Sequence, residues 1–363
     1  MTRQAVIDVG TNSVKFHVGE LGPDGIWTRI VDRADVSRLG EGIEETGAIA
    51  PAAMERTAEA IAGMTAEAAR LAADSVTVVG TMGLRTASNS EEFRDLVEKR
   101  SGVKIEVISG DEECRLAYLA ARSAARIEAG SLVVFDTGGG SSQFTFGDGE
   151  QVGRQFSLNV GAVRYTEQFH LDQAVTADVL SQAVAAIAWD LLKLDNYVKF
   201  AETAQAASEI LARLQGTRLE KSETPPDPSS RSRWRPRHLG TRLEKSETPD
   251  SESGSPAALV GMGGAVTNIT AVMLGLRKYD PAKVQGAIID RTEIDRQIEL
   301  YRAIPADERR KIAGLQPNRA EVILAGACIV RTIMEKLRKS SLTVSDRGLR
   351  HGILIDRFGG RLA

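Results

Sequence analysis

Two stretches of this chain repeat one design, and that repetition limits the fold more than any other feature. AVIDVG at 5–10 runs into a Thr-Asn-Ser turn and then VKFHVGEL at 14–21; SLVVFD at 131–136 runs into TGGGSS and then QFTF. In each, an apolar run ends on a carboxylate, a turn rich in small residues follows, and a second apolar run leads away. Short apolar runs bounded by turn residues read as buried strands. Three consecutive glycines between β-rich runs weaken a sheet and need a local reason. Strand and helix signals alternate behind both stretches. After the first come a strand at 28–36, an Ala-rich helix at 50–73, a strand at 75–80, a helix at 91–100, a strand at 103–108 and a helix over about 110–126. After the second come a hairpin at 143–158 turning at Asp148-Gly149, a strand at 257–262, and helices at 173–200, 265–275 and 317–338. This alternation implies an α/β fold. Two related domains are expected, 1–127 and 128–363, with a cleft between them and the last helix packing back on the first domain.

One segment departs from the pattern. Residues 216–256 hold six of the eleven prolines, eight basic and seven acidic residues, and little that is apolar. Such a stretch buries too little surface to offset its ordering entropy, so it reads as a disordered insert. It contains the ten-residue sequence GTRLEKSETP twice, at 216–225 and 240–249, a local duplication rather than a solenoid. Between the copies, Arg231, Arg233, Arg235 and Arg237 form either a solvated charge run or a polyanion tether.

Bulk properties narrow the function. The net charge of 46 − 49 = −3 argues against a strongly basic nucleic-acid binder. Cys114 and Cys328 show no metal or redox spacing and suit small buried hydrophobes in a reducing compartment. With no apolar leader and no 18-residue apolar run, a cytoplasmic protein without membrane contact is expected. The four histidines show no ligand spacing along the sequence.

The chemistry concentrates at the turns. Asp8 precedes Gly10, Thr11, Asn12 and Ser13, and Asp136 precedes Gly138, Gly139, Gly140 and Ser141. Glycines let backbone amides approach a phosphate as a nest, and the carboxylates can hold a hydrated Mg²⁺ against it. A tight hairpin turn or a glycine bulge explains either motif alone. Ser109 and Glu112 make a capping box at the start of a helix, which leaves Glu113 free to activate a water. Arg85 stands just past a strand, placed either to fork onto phosphate or to form a surface ion pair. Gly263 and Gly264 open another helix as a second glycine turn, an anion-binding or merely structural terminus.

Together these motifs resemble the exopolyphosphatase and guanosine-pentaphosphate phosphohydrolase family, within the actin, hexokinase and Hsp70 superfamily of paired RNase-H-like domains. The matching blocks include IDVGTNSVKF, RLGEGI, GTMGLRTASN, IEVISGDEECRL, FDTGGGSSQF, SLNVGAVRYTE, GMGGAVTN, GLQPNRAEVI and VSDRGLRHGIL, and they span nearly the whole chain outside 216–256. The resemblance implies a short two-domain phosphoanhydride hydrolase that releases terminal phosphate from polyphosphate or guanosine pentaphosphate. It implies Glu113 as catalytic glutamate, Asp8, Asp136 and Gln143 at the metal, Arg85 and the two glycine turns on phosphate, and a homodimer. Gln143 departs from the family, where a glutamate is common. A neutral amide is a poorer Mg²⁺ ligand, which keeps open a degenerate sensor of guanosine tetraphosphate, beside a kinase of the same superfamily.

Overall fold

The computed structural model describes residues 2–124, 131–148, 151–195 and 258–362. The expected domain boundary near 127, the Asp148-Gly149 turn, the end of the helix expected at 173–200 and the 216–256 insert lie outside these residues.

Two six-stranded sheets carry the fold. In the first, β1 (Thr2–Val9), β2 (Ser13–Leu21) and β3 (Ile26–Val36) form an antiparallel meander. β4 (Ser75–Gly80) and β5 (Ile105–Val107) then add in parallel on the far side of β1. The second sheet repeats this order. β6 (Ser131–Thr137), β7 (Ser142–Asp148) and β8 (Gln151–Leu158) form the meander. β9 (Ala258–Met262) and β11 (Ser341–Val344) follow in parallel, with β10 (Ile288–Asp290) antiparallel at the edge. Registers match as well as order. Asp8 pairs with Lys15 across β1 and β2, and Asp136 pairs with Gln143 across β6 and β7.

β1 is buried on both faces because both are covered. Alternate residues of β1 enter different cores. Ala5, Ile7 and Val9 pack in the core that holds Met54, Ala58 and Ile61 of the Pro51–Arg70 helix and Phe93 and Val97 of the Ser90–Ser101 helix. Val6, on the opposite face, packs with Leu116 of the Gly110–Ala124 helix and Ile353 and Leu354 of the Leu349–Phe358 helix. The Gly110–Ala124 helix serves both sheets, since Ala117, Tyr118 and Ala121 pack against Leu132 and Val134 of β6 and Val260 of β9.

The chain's last described residues return to the first sheet. β12 (Arg361–Leu362) pairs in parallel with β3 at Ile26 and Trp27. Gly352 lets its helix touch the Gly110–Ala124 helix, because a Cβ there would fall 2.0 Å from the Leu116 carbonyl oxygen. Both sheets belong to one compact unit formed by Met1–Lys193 and Pro256–Ala363. One expected helix, 317–338, divides: Pro317–Arg319 is a 3₁₀ turn, and the α-helix runs over Ile323–Lys336. The sequence pattern also did not show the Ala162–Phe169 and Arg291–Arg302 helices.

Candidate active site

The two glycine turns adopt the same closure. Gly10 N–H donates to the Ser13 carbonyl at 3.1 Å, and Gly138 N–H donates to the Ser141 carbonyl at 2.9 Å. The turns face one another closely. A Cβ on Gly139 would lie 2.8 Å from the Asn12 Cβ, and one on Gly140 would lie 2.5 Å from the Thr11 Oγ1. The third turn joins them through Gly263, whose φ of 96° is left-handed and whose Cβ would collide with the Thr137 carbonyl at 2.4 Å. Glycine is required there twice, for conformation and for space.

Between the turns lies a cavity of about 70 Å³. It is lined by Asp8, Gly10 to Ser13, Lys15, Glu113, Asp136 to Ser141, Gln143, Gly263 and Gly264, so the structure brings together nearly every residue singled out from the sequence. Asp8 and Asp136 are buried at the ends of their strands. The Lys15 ammonium donates to Asp8 Oδ2 at 2.8 Å. Burial pulls its pKa down, but the Asp8 and Asp136 carboxylates outweigh this and hold it above the usual lysine value. Burial pushes Asp136 up, Lys15 opposes the shift, and the Asp8 charge adds to it.

Glu113 sits in the first turn of its helix and is 8 % exposed. Burial pushes its pKa up to about 7; Arg85 pulls against this, while Asp8 and Asp136 reinforce it. A carboxylate shifted toward neutrality in a cleft has the property a general base needs. The neighbouring Glu112 differs. Its backbone N–H donates to Ser109 Oγ at 3.1 Å, but its carboxylate accepts from Arg115 at 2.8 and 3.0 Å, so only half of the expected capping box forms.

Arg85 has other neighbours than expected. From the Met82–Thr86 helix its Nη1 donates to Glu113 Oε2 at 2.9 Å and to the Ile108 carbonyl at 3.0 Å, and it is not among the residues lining the cavity. A nearby buried carboxylate has taken up the guanidinium. Gln143 also has defined partners: its Nε2 donates to Ser141 Oγ at 2.7 Å and Ser157 Oγ at 3.1 Å. Only its carbonyl oxygen remains as a possible metal donor. Two buried carboxylates and one amide oxygen form a hard, all-oxygen donor set, which fits Mg²⁺.

Two groups escaped sequence reasoning. Arg319 lines the same cavity, donates from Nη2 to Ser13 Oγ at 3.1 Å, and is lowered to about 10 by burial. Its only signal in the sequence was its place in the GLQPNRAEVI block. Two histidines that looked unrelated also meet: ligand atoms of His17, Asp32 and His351 lie within 4.8 Å of one another. This cluster is poorly suited to a metal. Arg350 occupies both Asp32 oxygens at 2.6 and 3.1 Å. The Gly348 N–H donates to His351 Nδ1 at 3.3 Å, which leaves the proton on Nε2, facing Asp32. Burial lowers His351 to about 3, so it is neutral.

A family model described as the Ppx/GppA phosphatase family matches residues 23–220 and 241–359, omitting part of the Pro-rich insert. Exopolyphosphatase 2 of Mycobacterium tuberculosis is 26% identical over 373 residues, covering 99% of this chain and 99% of that protein. The guanosine-5'-triphosphate,3'-diphosphate pyrophosphatase of Vibrio vulnificus is 30% identical over 218 residues, 57% of this chain. The chain spans about half the length of some curated relatives, 43% of that pyrophosphatase and 46% of a bifunctional 3-dehydroquinate synthase/phosphatase of Fusobacterium nucleatum. Among solved structures, the Aquifex aeolicus PPX-GPPA enzyme is 28% identical with a TM-score of 0.67, covering 98% of this chain and 99% of that one. An exopolyphosphatase-like protein is 25% identical with a TM-score of 0.76, covering 98% and 97%. With two facing glycine turns, each following a buried aspartate, and a match over most of its length, the chain belongs to the Ppx/GppA phosphatase family.

Proposed function

We propose that this phosphatase-family member hydrolyses the terminal phosphoanhydride of inorganic polyphosphate, and also of guanosine pentaphosphate, releasing orthophosphate. The observation that carries this reading is Glu113, a buried carboxylate with a pKa of about 7 at a cavity lined by two phosphate-type turns. Phosphoryl transfer needs positioning and charge neutralisation more than covalent chemistry. Amides and hydroxyls of the 10–13 and 138–141 turns bind the terminal phosphate, with the 263–264 turn beside them. Asp8 and Asp136, helped by the Gln143 carbonyl, would hold Mg²⁺, which supplies charge neutralisation at the phosphate oxygens. Glu113 takes the proton from an attacking water. Arg85 orients Glu113 and keeps a fraction of it ionised near neutral pH.

The molecular setting belongs to the same proposal. We assign lobes 1–127 and 128–363, a cytoplasmic location, a homodimeric assembly, and no nucleic-acid or membrane partner. Among the described residues no helix is long and apolar enough to cross a membrane. The amide at Gln143 favours one rival, a binding-only protein that senses guanosine tetraphosphate. Phosphate release from long polyphosphate, short polyphosphate and guanosine pentaphosphate, with and without Mg²⁺, separates these readings. Mg²⁺-dependent release supports the hydrolase. Tight binding without release from any of the three supports the sensor.

A further inference from the structure

Arg319 lines the catalytic cavity, yet among the described residues its side chain has one hydrogen bond to hold it, from Nη2 to Ser13 Oγ at 3.1 Å. Its Nε is shut off from solvent and meets no acceptor. A side chain tied at one atom goes where its backbone puts it. The Pro317–Arg319 turn, and what holds that turn, therefore decide where this guanidinium stands.

The turn is held at the front through Asn268. The Gln316 N–H donates to Asn268 Oδ1 at 2.9 Å, and Asn268 Nδ2 donates to the Gly264 carbonyl at 2.9 Å. Behind, two arginines adjacent in sequence hold the two residues that follow Arg319. Arg310 Nη2 donates to Glu321 Oε1 at 3.1 Å, and Arg38, just past β3, takes the same carboxylate. Arg309 reaches the Ala320 carbonyl from Nη1 at 3.3 Å.

Arg309 is the unusual member. It ends the Ala306–Arg309 helix, is fully buried, and is not among the residues lining the catalytic cavity. Burial lowers its pKa to about 10, with the Asp172 charge opposing, so it stays charged at neutral pH. Among the described residues no carboxylate pairs with it. Its other donors go to the carbonyls of Tyr301 at 2.7 Å, Leu171 at 2.6 Å and Gln173 at 2.9 Å. A buried charge balanced by carbonyls alone is costly, and an apolar side chain would fill the same core at less cost. What the charge brings is geometry. A rigid planar fork with five donors joins three separate stretches of backbone at one point, which a single ammonium cannot do.

We propose that Arg309 is a positioning residue for the hydrolysis: it ties the turn at Ala320 to the 171–173 loop and to Tyr301, and so fixes where Arg319 meets the substrate. This rests on the phosphohydrolase reading above, because it needs a phosphate at the cavity that Arg319 lines.

A double-mutant cycle tests it, with Arg309→Lys, Arg319→Met and the double variant compared with wild type for phosphate release from tripolyphosphate and long polyphosphate. A small misplacement of a binding group predicts a loss of roughly 10- to 100-fold in kcat/KM for Arg309→Lys. The acid limb of its pH–rate profile, set by Glu113 at about 7, should not move. In the Arg319→Met background the same change should cost about two-fold or less, since a residue that acts through Arg319 has nothing left to position. Arg310→Ala, which frees Glu321 at a half-exposed site, should lose several-fold in wild type and almost nothing beside Arg319→Met. It carries the cycle alone if Arg309→Lys does not fold.

Two losses that multiply in full, a shifted acid limb, or a folded Arg309→Lys protein with the wild-type rate would each overturn the proposal. Thermal midpoints with and without tripolyphosphate, in a Glu113→Gln background, repeat the cycle without turnover. Arg309→Lys should shrink the ligand-induced rise, and should shrink it no further once Arg319 is Met. If wild type releases phosphate from no substrate, the hydrolase reading fails, and the midpoint cycle still decides whether Arg309 acts through Arg319. If tripolyphosphate raises no midpoint even with both arginines present, the positioning proposal falls as well.

Discussion

At the residue scale, Glu113 carries the sharpest expectation. Glu113→Gln keeps shape and volume but removes the base, so turnover should fall about 10²–10⁴-fold with little change in substrate binding. Single-turnover phosphate release combined with a binding titration checks both halves. The sign of the pH dependence follows from the shift. A base works ionised, and burial has raised this one to about 7, so kcat/KM should rise with pH through about 7 and level off above it. Arg85 opposes that rise in pKa, so Arg85→Met should move the acid limb to higher pH as well as lowering the rate. A pH–rate profile of both proteins decides it, and an unmoved limb would mean that another group titrates. Gln143 gives a separate test. If this position faces the metal, Gln143→Glu should lower the Mg²⁺ concentration for half-maximal rate. The two serine hydroxyls that now accept from its amide are the reason the gain would be modest, since a carboxylate must reorganise them.

At the scale of elements, the Gly110–Ala124 helix positions the base, and Gly352 sets how closely its neighbour packs. Gly352→Ala would press a methyl into the Leu116 carbonyl, where a Cβ has only 2.0 Å. Relieving this overlap requires the helices to separate, a cost of about 1–3 kcal/mol. The thermal midpoint should drop by several degrees, with a further loss of activity because the displaced helix carries Glu113. A Gly352→Ala protein with wild-type midpoint and rate would show that the contact is easily relieved. Much of this architecture was legible in the sequence, because it is written locally. Apolar runs ending in Asp and glycine gave β1–β2 and β6–β7, and their likeness gave the repeated sheet. The short elements were hidden for a physical reason: β10 and β11 are three and four residues long, too short to show a period. Arg319 and the His17–His351 pair were hidden differently. Residues 13 and 319 share a hydrogen bond 306 positions apart, and no local pattern encodes a partner that distant.

At the scale of the whole molecule, the 216–256 insert was read only from composition and lies outside the described residues. Doubling the length of a flexible loop costs only about 0.6 kcal/mol in closure entropy. Replacing 216–256 with a short Gly/Ser linker should therefore leave the thermal midpoint nearly unchanged and turnover on short polyphosphate within a few-fold. A selective loss on long polyphosphate at low salt would identify the insert's arginines as a tether. Collapse of stability would show that the insert is part of the core.

The packing of residues 349–362 on the first sheet has a consequence for synthesis. Val6, Val79 and Leu116 find their cover in Leu349, Ile353 and Leu354, and β3 gains its outer neighbour only at Arg361 and Leu362. When the first meander leaves the ribosome, more than two hundred residues still separate it from the segment that closes one of its faces. Until then the nascent first sheet presents apolar side chains and an open backbone edge to the surroundings, the condition in which chaperones bind. The active cleft thus becomes possible late, because the helix that bears Glu113 is fixed from both sides only after Leu349, Ile353 and Leu354 have been made.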